Sequence, residues 1–422
     1  MLGIIFYYES KLDDAIEMFK KALEINPVHS DVLFNYSKAL FEKGDYFESW
    51  RYLTRISEKS WEVWDMLGDT QLKLNNPAMA LHYYKKAYES SNIPELKEKY
   101  EHIKKQHYKG EKLAIFCLPG LDNFIHDIAD ILSHIYEVKL VVTTDSNEIV
   151  QAYNWADIIW LEWANELTVE ITNELPKGNK KIVCRLHSYE ALKYFPKKIK
   201  WENIDTLIIV SKHVGEILKK FHPDAYKRIK QIRIIPNGVD LNKFTFSKKA
   251  HGHNIAVIGD ISYKKDPAAW LQVIGFLKEK VSNQYKLHIA GKPNDAGEGA
   301  RYLNYFEHFL RESDLQENVK IYGYVRDVNS FLEDKNFILS TSIHEGHPYN
   351  IMEAMARGIK PIIHNYHGAK EQWPEELVYN FFFEIEEIVK DDYDSIKYRS
   401  FVENKYSLER QIDNILKLLE SR

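Results

Sequence analysis

From residue 112 onward, short apolar runs alternate with amphipathic stretches, and this pattern restricts the fold more than any other feature. The runs at 113–118, 138–143, 158–163, 182–186 and 207–210 read as buried strands, with Pro119-Gly120 as a turn and 125–135 as a helix. A second series starts at Asn254. It sets strands at 255–259, 286–290, 319–322, 337–340 and 360–364 among helices at 267–281, 300–311 and 348–357. Strands that are apolar throughout and separated by helices belong to parallel sheets covered on both faces. The expected class is therefore α/β, with two doubly wound domains meeting near the turn-rich Pro236-Asn237-Gly238. Open sheets of this kind bind ligands beyond the C-terminal strand ends, so the cleft between the domains is the expected active site.

Composition excludes several classes. Of the 422 residues, 45% are hydrophobic and 28% charged, as in ordinary globular proteins. No apolar run approaches the ~18 residues needed to span a bilayer, and the start has neither the basic region nor the long apolar stretch of a signal peptide. Cys117 and Cys184 both lie in apolar runs, which argues against a disulfide scaffold and fits a reducing cytoplasm. Residues 177–233 carry 15 Lys/Arg against 5 Asp/Glu, within a chain of net charge −5. Such a surface attracts phosphates or an anionic membrane face, or is simply a solvated face.

The first hundred residues repeat themselves. Leu2-Gly3, Ala15, Phe19 and Ala22, followed by Pro27, recur without the proline as Leu67-Gly68, Ala80, Tyr84 and Ala87, with Trp64 and Gln71 in the same copy. A middle copy is degenerate, with Tyr36-Ser37, Ser49 and Leu53 at those places. The steps from Gly3 to Ser37 to Gly68 are 34 and 31 residues. This region resembles three tetratricopeptide repeats, an all-α array whose concave face usually binds a peptide or protein. The alternative is a spacer or dimerisation arm. The chain begins inside the first helix of a repeat, so upstream repeats or a covering neighbour are expected. A helix of mixed charge at 94–109 would link the array to the strand–helix region.

The stretch Ile235-Pro-Asn-Gly-Val-Asp-Leu-Asn-Lys-Phe244 resembles the inter-domain signature of family 4 glycosyltransferases of the GT-B fold. Residues 340–358 resemble that family's donor motif, with Glu345 and Glu353 as its two glutamates. Gly259 with Lys265, Ile289-Ala-Gly291, Tyr322-Gly-Tyr-Val325, and His367-Gly368 with Glu371 fall in the family's order. The resemblance covers about residues 112–422 and implies two Rossmann-like domains. The organisation it implies is a repeat array and linker helix (1–110), an acceptor domain (111–238), a nucleotide-sugar donor domain (239–404) and a terminal helix crossing back to the acceptor domain (405–422).

By resemblance, Glu345 holds the transferred sugar's hydroxyls and Glu353 the nucleotide ribose. Gly346, His347, Pro348 and Tyr349 meet sugar and phosphates, and Val325 and Arg326 border the base. Gly120 admits substrate to the backbone, and His187 matches the family's active-site histidine. Independently of the family, Pro348 suits a first helical position, and a helix start after Glu345 suits a diphosphate. The family's arginine after Gly259 is here Asp260, leaving Lys265 and Lys264 to neutralise the diphosphate.

No metal-ligand cluster stands out, and no cofactor is required beyond a UDP- or GDP-sugar substrate. The implied activity is retaining transfer of a sugar to a protein or glycan acceptor recruited by the repeats. One alternative is a peripheral enzyme at the inner membrane face, acting on a lipid-linked glycan and docked by Lys219, Lys220, Lys227, Arg228, Lys230 and Arg233. Another is a scaffold that has lost turnover. Nucleic-acid binding has no recognition motif to support it.

Overall fold

In a computed structural model of the chain, residues 1–293 and 297–421 are described. The chain divides into two compact units, Met1–Asn237 with Leu408–Arg422, and Gly238–Ser407.

The first unit opens with helices α1 (Leu2–Tyr8), α2 (Leu12–Ile25), α3 (Ser30–Lys43), α4 (Tyr46–Thr54), α5 (Trp61–Lys73), α6 (Pro77–Glu89) and α7 (Pro94–His107). The repeat residues explain the pairing. A Cβ on Gly3 would sit 2.8 Å from the Phe19 ring, and one on Gly68 2.4 Å from the Tyr84 ring. Glycine lets each first helix press its backbone onto the aromatic residue of its partner. In the middle pair Ser49 Oγ donates to the Ser37 carbonyl at 2.8 Å, so a hydroxyl replaces that contact.

The same unit carries strands β1 (Lys112–Cys117), β2 (Glu137–Val142), β3 (Ile158–Glu162), β4 (Lys181–Leu186), β5 (Thr206–Ile209) and β6 (Ile232–Ile234). All pair in parallel, in the order β2-β1-β3-β4-β5-β6, so the direction of winding reverses between β1 and β3. Helix α8 (His126–Leu132) follows β1 and packs near α6. The core between sheet and helices holds Phe116, Ile159, Leu161, Cys184, Trp201 and Leu207, all at most 1% exposed. Each buried side chain of that size contributes ~1.5–3 kcal/mol.

The helix Leu408–Glu420 closes this unit. Leu408, Ile412, Ile415, Leu416 and Leu419 recur at helical spacing and are buried. Asn76 of the repeats donates to the Glu409 carbonyl at 2.9 Å. At the other end Lys181 Nζ donates to the Leu418 and Leu419 carbonyls at 2.7 and 3.0 Å. A cation there caps the negative end of the helix dipole. The repeats are thus tied into the first α/β layer and do not form a separate compact unit.

The second unit holds β7 (Asn254–Ile258), β8 (Lys286–Ala290), β9 (Val319–Gly323), β10 (Phe337–Ser340), β11 (Lys360–His364) and β12 (Val378–Tyr379). They are parallel in the order β12-β11-β10-β7-β8-β9, reversing between β7 and β10. Arg399, fully buried, is paired with Glu403 at 2.8 Å and donates to the Phe244 and Ala356 carbonyls, both at 2.9 Å. This fixes the signature segment against the helix that begins at Tyr349.

Candidate functional site

Where winding reverses in an open sheet, the flanking loops part and leave a crevice. In the second unit that place is the end of β7 and β10, where Lys264, Lys265 and Glu345 meet. The β7 loop turns at Gly259, whose φ of +152° favours glycine. It then places Lys264 and Lys265 in a short 3-10 turn, Tyr263–Lys265. Thr341 Oγ1, just past β10, donates to the Lys265 carbonyl at 2.6 Å, and the Ile343 N–H donates to the Lys264 carbonyl at 3.0 Å. These bonds bring the two lysines to Glu345. Lys265 Nζ lies 2.5 Å from Oε1, and Lys264 Nζ 3.9 Å from Oε2. Glu345 is 6% exposed. Burial alone would raise its pKa, but Lys265 first and Lys264 next hold it below the usual glutamate range. The result is a buried, ionised acceptor joined to two cations.

Pro348 is the N-cap of the helix Tyr349–Ala356, not its first residue. Its φ of −75° and ψ of 124° are extended, so the helix starts one position later than the sequence suggests. The helix still begins four residues after Glu345. Gly346 is held by Gln372, whose Nε2 donates to its carbonyl at 2.8 Å. His347 is packed rather than open, stacked on Trp373 at 5.7 Å and edge-on to Tyr406 at 4.4 Å. Tyr349 is partly buried. Glu353 sits one helical turn further on. Burial lifts its pKa to about 7, against a partial downward pull from Lys243.

Asp260 is turned toward the β8 loop. Its Oδ1 accepts the Lys292 N–H at 3.0 Å. That contact depends on Gly291, where a Cβ would lie 1.9 Å from the Gly259 carbonyl oxygen. Val325 packs partly buried against the β7–β10 core, and Arg326 is exposed.

In the first unit the winding reverses at β1 and β3. Gly120, at φ +83°, makes the turn after β1. His187, at the end of β4, is 6% exposed, with Nε2 2.7 Å from Glu162 Oε1 and its ring stacked on Trp163 at 3.9 Å. Glu162 also accepts Trp160 Nε1 at 2.7 Å and meets Arg185 at 3.4 Å. Burial would raise its pKa, but Arg185 and His187 together hold it low. Glu190 accepts the backbone N–H groups of Ala164, His187 and Ser188 at 3.3, 3.1 and 2.9 Å, binding the β3 and β4 ends together. Sequence reasoning missed Glu162, Trp163, Arg185 and Glu190. A usable signal was the acid ending the otherwise apolar Ile158–Glu162 strand. Trp163, at φ +75°, and Asp266, at φ +46°, are non-glycine residues in the left-handed region, one beside each reversal.

Known proteins share this architecture. Residues 240–378 match the family described as Glycosyl transferases group 1. Residues 1–29 and 62–93 match the tetratricopeptide repeat, leaving the degenerate middle copy unmatched. Over 99 residues the chain is 34% identical to a TPR repeat-containing protein of Methanocaldococcus jannaschii, covering 22% of this chain and 17% of that one. Over 163 residues it is 22% identical to the UDP-Gal:alpha-D-GlcNAc-diphosphoundecaprenol alpha-1,3-galactosyltransferase of Escherichia coli, covering 36% and 40%. The chain therefore spans less than half the length of either curated relative. Among solved structures, HepE of Anabaena in complex with UDP and glucose aligns with TM-score 0.59 at 15% identity, covering 74% of this chain and 100% of that one. Sucrose-phosphate synthase of Thermosynechococcus elongatus aligns with TM-score 0.57 at 14% identity, covering 73% and 98%. At these identities the likeness is one of fold. The chain carries a Glycosyl transferases group 1 domain on a GT-B-like pair of parallel sheets, preceded by tetratricopeptide repeats.

Proposed function

We propose that this chain is a retaining glycosyltransferase of the family 4 type, transferring a sugar from a UDP- or GDP-sugar. The observation that carries the proposal is the Lys264–Lys265–Glu345 cluster at the β7/β10 reversal, beside the start of the helix that bears Glu353. Glu345 accepts hydrogen bonds from the sugar hydroxyls. The two lysines and the helix start neutralise the diphosphate. Glu353 accepts the ribose hydroxyls, and Val325 and Arg326 border the base. The HepE structure, which holds UDP and glucose on a similar fold, favours UDP as the base carrier.

Transfer with retention proceeds from the front face. The acceptor oxygen bonds the anomeric carbon, the bond from that carbon to the diphosphate oxygen breaks, and the departing diphosphate takes the acceptor's proton. Glu345 is held by lysines and supplies no nucleophile. The protein's part is positioning and stabilisation of charge on the leaving group. His187, oriented by Glu162, and Gly120 serve the sugar and acceptor side. The repeats recruit a protein or glycan acceptor.

A lipid-linked glycan acceptor is the alternative that a specific observation favours, because the Escherichia coli relative is named for a diphosphoundecaprenol substrate. Lys219, Lys220 and Arg233 would then meet anionic lipid. Lys227, Arg228 and Lys230 are already within 3.8, 3.6 and 3.3 Å of Asp224, Glu202 and Asp205. The test is hydrolysis of a panel of nucleotide sugars by the full chain, followed by transfer to soluble and vesicle-borne acceptors. Slow hydrolysis of one UDP- or GDP-sugar is expected. Binding of nucleotide without any turnover would favour a scaffold.

A further inference from the structure

We infer that His82, Asp130 and His134 form a transition-metal site, of the kind that takes Zn²⁺, at the junction of the repeats and the first α/β layer. His82 belongs to α6, the last helix of the third repeat, while Asp130 lies on α8 and His134 just beyond it. One ligand atom from each lies within 4.8 Å of the others. His82 Nδ1 and Asp130 Oδ2 are already 3.5 Å apart. Around a tetrahedral zinc, with bonds of ~2.0–2.1 Å, ligand atoms stand about 3.3 Å apart. The remaining closure falls mainly to the Asp130 side chain, which is 53% exposed.

The second observation is the state of the imidazoles. His134 is 2% exposed, yet its Nε2 has no hydrogen-bond partner, and His82 Nδ1 makes no hydrogen bond closer than its 3.5 Å approach to Asp130. A buried ring nitrogen left unpaired is costly, and a metal ion at the centre of the cluster would occupy both lone pairs. The other nitrogen of His134, Nδ1, is 3.2 Å from the Tyr100 hydroxyl. With Nδ1–H donating to that oxygen, Nε2 keeps its lone pair for a ligand. Metal-bound histidines are oriented by such a second hydrogen bond. Lys85 and Lys104 act on His134, and Lys85 on Asp130. These ammonium groups oppose a hard cation held by charge alone. Two imidazoles and one carboxylate favour zinc, nickel or copper over magnesium or calcium. Bound metal would cross-link α6 to α8, and water completes a four-coordinate set.

The test uses the full chain, stripped with chelator and titrated with Zn²⁺ against a competing dye. It should bind one equivalent tightly, its melting midpoint should rise with Zn²⁺ but not with Mg²⁺ or Ca²⁺, and Co²⁺ should give the visible absorption of a four-coordinate ion. His82→Gln and Asp130→Asn should each weaken binding at least tenfold and abolish the rise in midpoint. Tyr100→Phe, which leaves the three ligands in place, should weaken binding by ~10–100-fold. Asp130→Asn, at a half-exposed position, keeps the test open should His82→Gln fail to fold. Absence of saturable Zn²⁺ binding by the unaltered chain overturns the inference. So does equal binding by the unaltered chain and Asp130→Asn, or an equal response to Mg²⁺.

Discussion

Glu345 and Glu353 lie eight positions apart and sit in opposite electrostatic environments. Two lysines keep the first ionised, whereas burial raises the second from 4.5 to about 7. Glu345→Ala should lower turnover about 10²–10³-fold, the range seen when one preorganised polar contact is removed. Steady-state rates with the active nucleotide sugar check this, and near-normal turnover would remove Glu345 from the mechanism. For Glu353, the folded chain keeps a proton that the unfolded chain has released between pH 4.5 and 7. Its contribution to stability therefore falls as pH rises through that window. A ribose diol donates hydrogen bonds to the ionised form, so nucleotide affinity should rise with pH through about 7 in the native chain and less in Glu353→Gln. Calorimetric titration of both chains across that range isolates the carboxylate from the phosphate's own ionisation. Parallel profiles would exclude Glu353 as the ribose ligand.

The elements show what the sequence could and could not disclose. Strands β1, β3, β4, β7, β8, β10 and β11 are apolar runs buried along most of their length, and each was legible as such. Strands β6 and β12, of three and two residues, were missed. β6 is half exposed and interrupted by Arg233, so no apolar run marks it. Glu345 and Lys265 were legible because family spacing marks them. Glu162, Glu190 and the His82–Asp130–His134 group were not, because their partners come from separate elements and no local pattern records them. Two glycines carry opposite predictions. Gly68→Ala puts a methyl 2.4 Å from the Tyr84 ring, which is 1% exposed and bonded to Asp69, so it should cost ~1–3 kcal/mol. Gly275, inside the helix Pro267–Lys280, would place its methyl 3.7 Å from Leu315, an ordinary contact. Gly275→Ala should stabilise by about 1 kcal/mol through helix propensity. Urea denaturation of both variants decides the signs.

At the scale of the whole molecule, the repeats and the terminal helix share one compact unit with the first sheet. Residues 1–108 cover part of the helix Leu408–Glu420 through Asn76 and Tyr83, which bond Glu409. A chain beginning at Lys109 should therefore melt several degrees lower than the full chain, measured by circular dichroism. An unchanged midpoint would mean that the array contributes nothing to the fold. The most direct test of the proposed donor site at the β7/β10 reversal is titration calorimetry of UDP and GDP against the full chain, alongside Glu345→Gln and Glu353→Gln. One of the two nucleotides should bind at a single site, at least tenfold more weakly in each variant. No binding of either nucleotide to the native chain, or undiminished binding by both variants, would contradict a donor site at that reversal.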